Sequence, residues 1–101
     1  MSRAVLQALG PRGVVVNISR GTVIDEPAMV ELLQDGKLGG AGLDVFADEP
    51  RVPEALFGME NVVLQPHVGS ATHPTRQAMG QLQIDNLAAY FAGKPLVTGY
   101  A

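Results

Sequence analysis

A chain of 101 residues, 47% of them hydrophobic and 17% charged, has the mixture of one modest globular domain and buries roughly two-thirds of the surface its unfolded form exposes. A formal net charge of -3 offers no cationic surface to neutralise phosphates or acidic lipids, which excludes nucleic acid and membrane surfaces as partners. With no cysteine there are no disulfides, thiolate metal sites or thiol nucleophiles, and without a charged leader or an uninterrupted bilayer-length apolar run a reducing cytoplasm is the expected setting.

Residues 2–9 carry Ala4, Val5, Ala8 and Leu9 at helical spacing, with Ser2 placed to cap the free amides. Gly10 and Pro11 end that helix. Residues 13–18 form a β-branched run without polar alternation, the pattern of a strand covered on both faces of a parallel sheet. A second helix is expected over 25–36. Asp25 and Glu26 sit at its positive dipole end, Pro27 in its first turn, and Gly36 at the left-handed closing position. Met29, Val30, Leu32 and Leu33 make its apolar stripe. Residues 40–46 read as a second buried strand whose small residues admit neighbouring backbone closely, followed by the acidic loop Ala47-Asp48-Glu49-Pro50. One helical turn over 53–57 and a third apolar strand over 61–65 lead into Pro66 and His67. The last helix starts between Thr72 and Pro74, carries Met79, Leu82, Leu87 and Phe91, and is closed by Gly93. No repeat, low-complexity tract or linker divides the chain. The order α-β-α-β-β-α defines the α/β class: a parallel three-stranded sheet with flanking helices, its first crossover right-handed.

Open parallel sheets take ligands beyond the carboxyl ends of their strands. There the first strand delivers Arg20, the second Asp44 and then Glu49, and the third His67. A guanidinium is a two-pronged donor for a carboxylate, an imidazole gives or takes a proton near neutral pH, and a neighbouring carboxylate orients the ring. Taken singly, Arg20 also reads as a solvated cation, Glu49 as a surface charge and His67 as a satisfied loop histidine. Asp44 is different: an unpaired carboxylate inside an apolar strand costs several kcal/mol, so something must be hydrogen-bonded to it. Their joint arrival at one edge, with Gly21 beside Arg20 to admit a ligand or backbone closely, favours a site. Ser19 has no adjacent base to make it a nucleophile. His73 reads as a capping neighbour, two histidines without clustered carboxylates make no metal site, and the methionines are assigned to the core.

Three stretches are familiar in type: Val16-Asn17-Ile18-Ser19-Arg20-Gly21-Thr22-Val23-Ile24-Asp25-Glu26, then Gly42-Leu43-Asp44-Val45-Phe46-Ala47-Asp48-Glu49-Pro50, then Asn61-Val62-Val63-Leu64-Gln65-Pro66-His67-Val68-Gly69-Ser70-Ala71-Thr72. In this order and spacing they resemble the D-isomer-specific 2-hydroxyacid dehydrogenases over nearly the whole chain. The Gly69-Ser70-Ala71-Thr72 run is most similar to the glyoxylate/hydroxypyruvate reductase branch. The resemblance implies that Arg20 binds the carboxylate and carbonyl of a small 2-keto acid and that His67, paired with Glu49, is the proton donor in reduction and acceptor in oxidation. It further implies NAD or NADP as cofactor, with Asp44 accepting a hydrogen bond from the nicotinamide carboxamide and the backbone near Ser19 and Gly69 lining the same pocket.

The family's Gly-rich GxGxxG loop, its ribose-reading residue and most of its substrate lobe lie upstream of these stretches and have no counterpart in this sequence. The chain therefore resembles the second half of a Rossmann-like domain, without the pyrophosphate cradle. Thr98-Gly99-Tyr100-Ala101 also lacks the family's proline-containing ending. Residues 1–101 are thus expected to be part of an oxidoreductase, to dimerise or join an N-terminal portion through an uncovered sheet, and to bind cofactor weakly alone. The alternative is a non-catalytic half-domain kept as an assembly or interaction module.

Overall fold

The computed structural model of the chain describes residues 1–99; Tyr100 and Ala101, part of the ending noted above, lie outside the described residues. Two compact units follow one another, Met1–Val68 and Gly69–Ala101. The first holds α1 (Arg3–Leu9), β1 (Val14–Asn17), a 3-10 turn (Gly21–Val23), α2 (Glu26–Gln34), β2 (Gly40–Leu43), a second 3-10 turn (Glu54–Leu56) and β3 (Val62–Leu64). The strands form one parallel sheet in the order β1-β2-β3, with Val14 beside Gly40 and Ala41 beside Val62. Parallel pairing brings all three carboxyl ends to one rim.

The local signals act largely as the sequence indicates. Asp25 caps α2 by accepting the Ala28 amide at 3.2 Å, and Gly36 takes φ 67° beyond its end. Gly10, at φ 73°, stops α1. Ser2 is a correction. It occupies the cap position with extended backbone but makes no side-chain cap bond; its carbonyl accepts the Leu6 amide instead. The Met1 amine donates to the Val23 carbonyl, and the Asp25 amide to the Met1 carbonyl, so the chain start is tied to the 3-10 turn.

The core joins Leu6 of α1, Met29 and Leu32 of α2, Leu38 and Leu56 to Val15 of β1. Val14 and Val16, on the other face of the strand, are 62% and 68% exposed, and Ile18 and Val63 are exposed with them. The expectation that β1 is covered on both faces is therefore corrected: α1 and α2 both pack on the Val15 side, and no helix of this unit covers the opposite one. The second strand is also shorter than expected, ending at Leu43 rather than residue 46. The Asp44 amide makes one last rung to the Asn17 carbonyl. Beyond it β1 has turned away, leaving nothing to pair with.

In the second unit, α3 (His73–Phe91) starts at Thr72, whose hydroxyl accepts the Thr75 amide, and stops before Gly93 at φ 65°. Asn86 exchanges two hydrogen bonds with Thr98, which folds the tail back along the helix. Met29 is a core residue and Met59 packs partly buried against the core, but Met1 and Met79 are 47% and 53% exposed, and no residue of α3 is buried. Among the described residues, no helix is long and apolar enough to cross a membrane.

Leu32→Ala, which empties a fully buried site, is expected to cost about 2–5 kcal/mol. Arg12→Ala, at an exposed position in the turn after α1, should stay within about 0.5 kcal/mol of the parent; urea unfolding of both variants checks the contrast.

Candidate active site

Each strand end hands its residue to the rim by a different device. After β1 the buried Asn17 side chain folds the backbone over itself: its Nδ2 donates to the Arg20 carbonyl at 2.9 Å, while its Oδ1 accepts both the amide and the hydroxyl of Ser19 at 3.1 Å. Asparagine suits this role because its short amide can mimic a backbone turn. The Arg20 side chain, exposed, donates from Nη1 to the Ser19 carbonyl at 2.6 Å. Gly21 comes next and is buried. A Cβ there would stand 2.0 Å from the Phe46 carbonyl carbon, so only glycine lets the loop after β1 rest directly on the loop after β2.

That second loop bends sharply enough for Glu49 to reach back to it. Glu49 Oε1 accepts the Phe46 amide at 3.0 Å, and Oε2 lies 2.7 Å from His67 Nδ1. The His67 ring holds the Glu49 carboxyl below the ordinary carboxylate value, the Phe46 amide lowers it further, and the nearby Arg20 charge acts in the same direction. His67 itself has φ 56°, left-handed backbone that costs a residue with a side chain of order 1–3 kcal/mol. Asp44 helps hold it there. Only 5% exposed, it accepts the Val68 amide through Oδ1 at 2.8 Å, fixing the peptide that follows His67.

Arg20, Gly21, Thr22, Phe46, Ala47, Glu49 and His67 line one cleft of about 320 Å³. A smaller cavity of about 190 Å³ continues from Glu49 and His67 over Phe46, Pro50, Val52 and Pro66. Three of the four rim residues singled out in the sequence therefore meet in a single space. Asp44 lies buried outside the lining of both cavities and reaches the site through the Val68 backbone; Ser19 is held by Asn17, and Gly69 opens the second unit. Among the described residues no group of His, Asp and Glu is arranged to hold a metal ion. Asn17 and Glu26 escaped the sequence reading as site residues. A polar residue closing an apolar strand just before an Arg was the available signal for Asn17; the contact of Glu26 with Ala47, 21 residues on, left none.

Chemically the cleft pairs an anion-binding guanidinium with an imidazole whose Nδ1 is committed to a carboxylate, leaving Nε2 for proton exchange. Because the folded value of Glu49 is depressed, the stabilisation that its carboxylate contributes is present above the ordinary carboxylate range and fades as pH falls through the lowered value. Carbon-detected NMR of the Glu49 carboxyl is expected to show its midpoint moving up toward the ordinary value in His67→Ala. An unmoved midpoint would deny the pair any electrostatic role.

Residues 1–69 match the family model for the D-isomer specific 2-hydroxyacid dehydrogenase, NAD binding domain. The chain is 60% identical over 98 residues to the hydroxyphenylpyruvate reductase of Plectranthus scutellarioides and 56% identical over 98 residues to a glyoxylate/hydroxypyruvate reductase A of Arabidopsis thaliana. In both cases the match covers 97% of this chain and 31% of the relative, so the chain spans about a third of their length. Among solved structures it is similar to the NADPH-dependent glyoxylate/hydroxypyruvate reductase of Sinorhizobium meliloti in complex with NADP and malonate. There the TM-score is 0.94 and the identity 52%, over 99% of this chain and 31% of that one. With the rim geometry, these matches establish that the chain belongs to the D-isomer-specific 2-hydroxyacid dehydrogenase family, as part of its Rossmann-like NAD-binding domain.

Proposed function

We propose that the chain carries the substrate-carboxylate and proton-transfer chemistry of an NAD(P)-dependent oxidoreductase that interconverts a small 2-keto acid, of the glyoxylate or hydroxypyruvate type, with a D-2-hydroxy acid. The observation that carries this reading is the meeting of Arg20 with the Glu49–His67 pair in one cleft. Arg20 takes the substrate carboxylate and steadies the carbonyl beside it. His67 gives a proton to the carbonyl oxygen in reduction and removes it in oxidation, while Glu49 holds Nδ1 and so fixes which ring nitrogen performs the exchange. Phe46, Val52 and Pro66 give the adjoining cavity an apolar wall.

The rim also fits a nicotinamide. Ser19 and Asp44 follow the ends of β1 and β2 respectively, where open α/β sheets take nucleotides. In this reading Asp44, whose Oδ1 accepts the Val68 amide, also accepts a carboxamide N–H from the ring. Together with the backbone at Ser19, Asp44 would hold the ring. When bound, the cofactor supplies or takes up the hydride. Association with a second copy or with further polypeptide belongs to the same reading and is supported by the apolar face of Val14, Val16, Ile18 and Val63. A cytoplasmic setting completes it.

The test is a chimera in which these 101 residues replace the matching stretch of the Sinorhizobium meliloti reductase. Arg20→Ala is expected to raise the keto-acid KM roughly 10–100-fold, and His67→Ala to lower kcat by about 10²–10⁴-fold. A chimera that reduces keto acids equally well with either substitution would favour the non-catalytic assembly module.

A further inference from the structure

Glu26 is the first residue of α2, yet the helix start does not depend on its hydrogen bonding, because Asp25 already caps it through the Ala28 amide. Its carboxylate is used elsewhere. Oε2 accepts the Ala47 amide at 2.9 Å, across 21 residues of sequence. That amide belongs to the Phe46–Ala47 peptide, the same unit on which Gly21 rests; a Cβ on Gly21 would stand 2.1 Å from the Phe46 oxygen and 2.3 Å from the Ala47 nitrogen. The preceding amide, on Phe46, is held by Glu49 Oε1, and the other oxygen of Glu49 holds His67. One peptide is thus gripped by Glu26 on its N–H and by the Arg20–Gly21 loop against its plane, while its neighbour is gripped by the carboxylate that orients the imidazole.

We propose that Glu26 is a positioning residue for the cleft: by anchoring the Phe46–Ala47 peptide against Gly21 it sets the spacing between Arg20 and the Glu49–His67 pair, an assignment whose catalytic consequence rests on the keto-acid reading above. A glutamate side chain is suited to this task because its length carries an acceptor oxygen from the helix start to the Ala47 amide. Glu26 also places negative charge at a helix N-terminus, which stabilises α2 regardless of Ala47. The two effects separate by substitution. Glu26→Gln removes the charge but keeps a carbonyl that can accept the Ala47 amide. Glu26→Asp keeps the charge but shortens the reach. Glu26→Ala removes both.

The experiment has two readouts. In the 101-residue chain, the Glu49 carboxyl is titrated by carbon-detected NMR. Glu26→Ala and Glu26→Asp are expected to move its midpoint up toward the ordinary carboxylate value, because a loosened Phe46 amide supports the anion less, while Glu26→Gln titrates as the parent does. In the Sinorhizobium meliloti chimera, the keto-acid KM is expected to rise about tenfold with Ala or Asp and to return with Gln. Parent-like Glu49 titration in Glu26→Asp overturns the assignment, and so does a Gln variant that behaves like Ala, which would make the charge at the helix start the operative property. Failure of the keto-acid reading shows separately, as an Arg20→Ala chimera with unaltered KM, and the Glu49 titration then decides the positioning role by itself.

Discussion

Residue 21 lies where the peptide linking Phe46 to Ala47 passes over the loop that follows β1, and even a methyl group there would stand 2.0 Å from the Phe46 carbonyl carbon. Backbone packs on backbone at this point. Parallel pairing alone brings the strand ends to one rim, but neighbouring strands are about 4.8 Å apart and the loops beyond them are free to splay. The missing side chain lets the Arg20 loop and the Glu49 loop close on each other, and residues of both loops line the cleft. Asn17 tightens the first loop from within and Glu49 the second, so the charged groups at the rim are also part of what shapes it.

Ion pairs elsewhere on the chain do different work. Arg3 meets Glu31 with two hydrogen bonds, tying α1 to α2, and each shifts the other toward its charged form. Both partners are well exposed, and contacts of that kind add little to stability. Glu49 and His67 are comparably solvated, yet the carboxylate there is also anchored to backbone and the imidazole sits on a left-handed residue braced by Asp44 through Val68. The second pair is organised for geometry more than for holding the fold together.

How much of this could be read from the letters follows the range of the interaction concerned. The start and stop of α2 were legible because Asp25, Pro27 and Gly36 act within a few residues of where they stand. Arg20, Glu49 and His67 were legible as a set because a parallel sheet turns three strand ends into one edge, and the resemblance of the surrounding stretches gave each a role. The unalternating valines of β1 pointed to two covered faces, but sequence records only that the side chains are apolar, and within this unit one face alone meets helices. Asp44 was rightly singled out as needing a partner, although which atom it would find, the Val68 amide, depended on how the chain turned after β3. Glu26 read as an ordinary acid at a helix start, since nothing near it in sequence announces Ala47.

His67 occupies conformational territory that belongs by right to glycine. At this one position, then, shape and chemistry are separable in a way they are not at Arg20 or Glu49: glycine would relax the main chain while deleting the ring, asparagine would tolerate the twist while offering an amide, and valine or isoleucine would fight the twist and supply no polar group. Backbone preference therefore ranks the substitutes for folding, whereas the imidazole alone ranks them for proton exchange.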